Sequence, residues 1–381
     1  MSALAQDVFA STGAQVVSPL FHSCRERLPA NVTAVAFSET NDTCFAMSLG
    51  DGTIAVAEVS MPEAAESQSD ENADRALPHL KIRAIDMHRV AAVAVRPFAD
   101  GFVTAGQDGR ILALEPSTPS QAGETNWISD ELFDTEGQWI EALATHTKRG
   151  YIAFAYADTL VVLDREGKII SRTKLEHTIT DIAFDAAGNR VGASHYNGVS
   201  LVQVEGGGEP SQLYWKGAHV AITLSPDDRY VVTSTQNREV HAWDLVTLQD
   251  FRMGGYPKKV RSFDWIAGEE MLACSGADVV TAWSFAGAGP GRKPPLEIGF
   301  AFGETVTAIA SHPLRAYVAC GFSAGNIQVG ATGKGEALVA QASSGSPVTG
   351  LAWSRKAEFL VAVDRSGYVA VFTTPQDLGI R

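Results

Sequence analysis

Cysteine is scarce in this chain: Cys24, Cys44, Cys274 and Cys320 are the four among 381 residues, and no Cys-x-x-Cys pair occurs. That spacing excludes a zinc ribbon or a thioredoxin-like motif and predicts a reduced, cytoplasmic chain. Three of the four fall in expected strands, where a free thiol behaves as a small hydrophobe. No apolar run approaches the ~18 residues that a membrane span needs. The first ten residues hold no Lys or Arg, and Gln6 and Asp7 interrupt their apolar character. Neither a secretory signal nor a transit peptide is expected there. Positive charge is also in deficit, with Lys and Arg totalling 30 against 44 Asp and Glu, a formal net charge of −14. This balance opposes a nucleic-acid partner. The one compact basic run, Lys258, Lys259 and Arg261, has only Tyr256 as an aromatic neighbour and reads as a solvated strand entry.

Catalytic signatures are missing as well. The nine histidines are scattered without the spacing of a metal site, and no Gly-x-Ser-x-Gly elbow is present. The glycine-rich segment Gly287–Lys293 lacks the Gly-Lys-Ser/Thr ending of a phosphate-binding loop, and Pro294 and Pro295 forbid the helix that must follow. No cofactor, metal ligand or catalytic residue is predicted.

What is present is a repeat. A short strand, a turn, a second apolar strand, a tight turn rich in Gly, Asp or Asn, and a third strand recur eight times. The clearest copies open with Val32–Phe37, Ile179–Phe184, Val260–Trp265 and Val348–Trp353, and weaker ones begin at Val90, Ile140, His219 and Val306. Their fourth residues, Val35, Val93, Leu143, Ile182, Ile222, Phe263, Ile309 and Leu351, are spaced by 58, 50, 39, 40, 41, 46 and 42 positions. A four-stranded propeller blade takes roughly 40–45 residues. The second turns, such as Asp108-Gly109, Asn197-Gly198 and Ser366-Gly367, tolerate the positive φ that two-residue hairpins require. A fourth strand follows most triads, from Leu80–Ile85 through to Ala337–Ala340. The tail after the last triad is too short to supply one, so Gln15–Leu20 is expected to fill that place and remove a free sheet edge.

The sequence therefore predicts an all-β fold over residues 1–381: a single β-propeller of four-stranded antiparallel blades, closed by an N-terminal outer strand. Eight blades are expected; seven is the alternative, reached by discarding the least regular triad, Ile140–Leu163. Residues 61–78, with five acidic side chains and little to bury, read as an acidic loop insertion.

The fifth copy, Ser225–Asp244, carries a Ser-Pro-Asp turn after its first strand and a Trp-Asp pair closing its third, Trp243-Asp244. It resembles a WD40 repeat, and with its degenerate companions the resemblance covers the whole chain. The resemblance implies structural pairs of a His before the first strand with an Asp or Asn in the hairpin turn: His88 with Asp108, and His177 with Asn197. Together with the missing catalytic signatures, the acidic balance and the lack of a long apolar run, it points to a non-enzymatic scaffold that binds an unidentified protein or peptide, with no nucleic acid, no membrane span and a monomeric state. The expected binding face is formed by the hairpin turns and the loops before each first strand, where Arg89, Tyr196, Gln236, Phe322 and Arg365 are the candidate contacts. The alternative is an enzyme with a metal or small-molecule site in the central channel, because a propeller gathers at its axis residues that no linear motif reveals.

Overall fold

The computed structural model describes residues 17–62, 77–117, 125–333, 337–375 and 378–379. Among them are thirty β-strands, and one 3-10 turn, Pro290–Arg292, is the sole helical element. Every strand pairing is antiparallel, and the sheets follow one another as the staves of a closed ring.

The middle strands explain why the repeat is apolar throughout rather than alternating. Cys44–Leu49, Gly101–Gly106, Tyr317–Phe322 and Phe359–Asp364 are buried at every position, because each sheet is covered on both faces by its neighbours. Successive side chains of one strand point to opposite faces. Phe45, Met47 and Leu49 accordingly pack against Val361, Val369 and Val371 of the last sheet. Cys44 and Ala46 face the other way, onto Val95, Phe102 and Leu114 of the next one. The outermost strands, such as His79–Asp86, alternate between half-buried and exposed.

The ring closes through the N-terminus, but not with the expected segment. The strand that pairs with Tyr368–Thr373 is His22–Arg27, in register from His22 opposite Thr373 to Arg27 opposite Tyr368. Of the expected Gln15–Leu20, residues 15–16 lie outside the described residues and 17–20 form no strand. Polar residues dominate His22–Arg27, as suits an outer strand exposed on one edge, and this masks it in the sequence. Most of the acidic insertion 61–78 also lies outside the described residues.

The sheet count differs from the expected eight. Among the described residues the strands form seven hydrogen-bonded sheets, six of four strands and one of six. The triad that the seven-blade alternative would discard is formed, as Ala142–His146, Tyr151–Tyr156 and Thr159–Leu163. The merger lies instead between the fourth and fifth copies. Arg190–Gln203 and Ser211–Leu224 are each continuous in their pairing, yet the chain reverses at the expected Asn197-Gly198 turn: both residues have positive φ, the Val204 amide donates to the Asn189 carbonyl at 2.9 Å, and His195 Nε2 meets Ser200 Oγ at 2.8 Å. Ser211–Tyr214 pairs with the first of these long strands, whereas His219–Leu224 pairs with Tyr230–Thr235.

Six inner strands carry a β-bulge at one shared position: between Val32 and Ala34, Ala92 and Ala94, Ile179 and Asp181, His219 and Ala221, Val306 and Ala308, and Val348 and Gly350. The weak copy read from Val90 is thus displaced, since its bulge places Ala92 where the first copy has Val32. In four cases the bypassed residue is Thr, and its hydroxyl donates to the carbonyl that opens the bulge in the next inner strand. These bonds are Thr33 to Ala92 (2.6 Å), Thr180 to His219 (2.7 Å), Thr307 to Val348 (2.7 Å) and Thr349 to Val32 (3.2 Å).

Because the packing between sheets carries the stability, Phe45→Ala is expected to cost about 3–5 kcal/mol of unfolding free energy. Ile128→Ala, on an exposed outer strand, should stay within about 0.5 kcal/mol. Urea denaturation of both variants checks this, and equal costs would contradict the packing account.

Candidate functional site

In an antiparallel meander, the hairpin turns between second and third strands share one end of the ring with the loops leading into each inner strand. The candidate residues can be placed on this loop face one by one. Arg89 is exposed, and its backbone amide donates to Asp108 Oδ2 at 3.0 Å. Tyr196 is exposed, with its ring edge-on to His177 at 5.9 Å. Gln236 accepts a hydrogen bond from Lys259 Nζ, and Arg365 is exposed at the turn before Gly367. Phe322 does not belong here. It is fully buried, packed with Ile309, Val318 and Ile298. It ends its strand with the side chain pointing between sheets and is not available as a contact residue.

The supporting polar pairs are partly as expected from the resemblance. His88 Nδ1 lies 3.0 Å from Asp108 Oδ1, and its Nε2 lies 2.9 Å from Thr104 Oγ1. Burial drives the His88 imidazole below its usual range, although Asp108 opposes this. No hydrogen bond joins His177 to Asn197 among the described residues. Asn197 sits at φ 70° and accepts weakly from the Gly217 amide at 3.4 Å, while the His177 ring faces His195 at 5.6 Å. His219 takes the role instead: Nδ1 meets Thr233 Oγ1 at 2.7 Å and Nε2 meets the Trp215 carbonyl at 2.9 Å.

Several loop-face residues escaped the sequence reading. Trp139, Phe300 and Phe302 are exposed in loops that lead into inner strands, and Phe302 is 92% exposed. The Phe302 loop is held from below. The buried Gln328 side chain accepts from the Phe300 amide at 3.0 Å and donates to the Phe300 carbonyl at 2.8 Å. Glu304 accepts from the Ala324 amide at 3.1 Å, and the Thr305 amide donates to Ser323 Oγ at 3.0 Å. An isolated exposed Phe has no periodic signal, so only the folded loop identifies it.

The inner strands bring Asp181, Asp264 and Arg96 toward the axis. Burial raises both carboxyl groups to about 6, against the hydrogen bonds that they accept. Those bonds serve the ring: Asp181 accepts from the Ile222 amide at 3.0 Å and Asp264 from the Ser311 amide at 2.9 Å, each reaching an adjacent inner strand. Among the described residues, no three His, Cys, Asp or Glu side chains gather as a metal site would require.

The Trp-Asp pair closes its strand as the resemblance implies. Asp244 accepts from Arg229 Nη2 at 2.8 Å and from the Val246 and Thr247 amides at 2.9 and 3.1 Å. Burial works against its charge, yet these donors hold it down at about 2. The neighbouring His241 ring is stacked on Trp215 at 4.0 Å and lies edge-on to Trp243 at 4.6 Å.

Burial lowers His241 and His312 from 6.5 to about 4, and His88, His195 and His219 shift in the same direction. The unfolded chain therefore binds more protons than the native one between those values, and stability present above pH ~6.5 is lost as pH falls toward 4. Asp181 and Asp264 act in the opposite sense below about 6. His241→Phe, which cannot take a proton, should keep more of its neutral-pH stability at pH 4.5 than the parent does. Urea midpoints at pH 7.5 and 4.5 decide the matter, equal losses counting against it.

No family model matches the sequence. Autophagy-related protein 16 of Arabidopsis thaliana is 22% identical over 287 residues, covering 71% of this chain and 53% of that protein. The chain thus spans about half the length of this curated relative. Among solved structures, the C-terminal WD40 domain of Sif2 aligns with a TM-score of 0.69 at 10% identity, over 96% of this chain and all of that one. Sqt1 of Chaetomium thermophilum aligns with a TM-score of 0.69 at 15% identity, over 92% and 97% of the two chains. The computationally designed Ika8 protein gives 0.68 at 21% identity, over 91% and 98%. Ring, repeat and likeness agree on one architecture: the chain has the fold of a WD40 propeller, written in degenerate repeats.

Proposed function

We propose that this chain is a non-enzymatic, cytoplasmic scaffold whose loop face binds a protein or peptide. The observation that carries the reading is where the exposed aromatics lie. Trp139, Tyr196, Phe300 and Phe302 are all on the loop face, and Tyr214 is the only other exposed aromatic among the described residues. Rigid aromatic side chains are the commonest anchors of protein interfaces, and a loop already held in place spends little entropy on binding. Arg89, Gln236, Arg365 and the cations Lys258 and Lys259 supply polar contacts around them. The channel alternative is less well supported, because Asp181 and Asp264 are already engaged in joining inner strands.

Affinity capture with quantitative mass spectrometry tests this. A variant carrying Arg89→Ala, Tyr196→Ala, Phe302→Ala and Arg365→Ala should lose captured partners by roughly tenfold or more, as expected when hot-spot residues are truncated. Undiminished partners would place binding on another surface.

We also infer that the six-stranded sheet serves as two blades, giving eight around the axis. Its halves each hold four strand segments, and the change of partners near Lys216–Ala218 supports the division. Face-on class averages in cryo-electron microscopy should show eight arms, and seven would overturn the inference.

A further inference from the structure

The two halves of the six-stranded sheet leave a groove on the side of the ring, away from the loop face. Gln212, Leu213 and Tyr214 of the outer strand form one wall, and Trp243, Asp244, Leu248 and Asp250 form the other, around a cavity of about 400 Å³. Its floor is apolar: Trp243 is buried and Leu213 half-buried. Its rim holds Tyr214, which is 68% exposed, and Leu248, which is 82% exposed.

Leu248 is the unusual member. It sits at φ 60°, in the left-handed region, at the end of the turn that Asp244 caps. A branched side chain is disfavoured there, and Gly or Asn is the ordinary choice. Nothing in the fold requires leucine at this place, since its side chain is in solvent. The left-handed turn thus presents an aliphatic side chain to solvent at the rim of the groove.

The charges in the groove are unequal. Asp244 is balanced by Arg229, 2.8 Å away. Asp250 is not balanced: its Oδ2 lies 3.1 Å from His241 Nε2, but burial between two indoles keeps that imidazole neutral at physiological pH. An exposed carboxylate therefore stands beside an exposed phenol ring and an aliphatic rim. That combination suits a cation on an apolar stem, which can lay its methylenes along Leu248, face the Tyr214 ring and bring its charge to Asp250.

We propose that this side groove is a second binding site, separate from the loop face, that takes an arginine side chain from an extended segment of a partner protein. The groove stands independently of the loop-face reading, and either can fail without the other.

The test uses a fluorescein-labelled Gly-Ser decapeptide with one central arginine, and the same peptide with citrulline in its place, titrated by anisotropy at 150 mM salt. The arginine peptide should bind at least tenfold more tightly than the citrulline one. Asp250→Asn and Tyr214→Phe separate the carboxylate from the phenol hydroxyl: the first should abolish the preference, and the second, which keeps the ring, should preserve it. Leu248→Gly should keep an unfolding midpoint at or above that of the parent while weakening the arginine peptide several-fold, which separates lost binding from lost folding. Equal binding of the two peptides, or a preference that survives Asp250→Asn, would overturn the proposal. Phe302→Ala on the loop face should leave the titration unchanged.

Discussion

The contact between neighbouring inner strands is the constraint on which this ring depends. Sheets packed face to face slide readily, because apolar burial is non-directional. The bulge threonines remove that freedom. At each bulge one residue leaves the ladder, and at Thr33, Thr180, Thr307 and Thr349 its hydroxyl reaches across to the first carbonyl of the next inner strand. Each such bond contributes on the order of 1 kcal/mol. Their value lies in direction: they set the height of one sheet against the next, and the last of them joins the final sheet to the first. Asp181 and Asp264, both half-buried, perform the same service with carboxylates.

The fixed inner ring gives the loop face its definition. Loops that enter an inner strand start from a known height, and buried polar groups then hold them in place. Asp108 gathers His88 and the Arg89 amide, and Gln328 grips the main chain on both sides of Phe300. The result is a set of exposed aromatic side chains on short, tethered loops. The side groove lies where one strand, Ser211–Leu224, passes from one set of partners to the next, with Leu213 and Tyr214 on one side and Trp243 and Leu248 on the other.

Much of the fold was legible because its determinants are local. Strand triads announce themselves by short apolar runs, and Gly52, Gly109 and Gly367 stand at positive φ where hairpin turns demand it. The pairing of His88 with Asp108 could also be anticipated, since a turn residue and the residue before a strand meet whenever the blade forms. The failures share a different cause. Phe322 was expected on the surface because it adjoins a turn, yet strand alternation aims it between sheets. His22–Arg27 is less apolar than the neighbouring Gln15–Leu20 and so carries a weaker strand signal, although an outer strand has little need of apolar residues.

The sequence by itself determined that this chain would be a ring of antiparallel sheets, because turn chemistry and strand burial are written within each stretch of about forty residues. Tertiary structure alone decided which strand closes the ring, how the fourth and fifth copies join, and which of many single aromatics face the solvent. Those outcomes rest on contacts between residues far apart in the chain, where one position's burial depends on its neighbour sheet and not on its own surroundings in sequence.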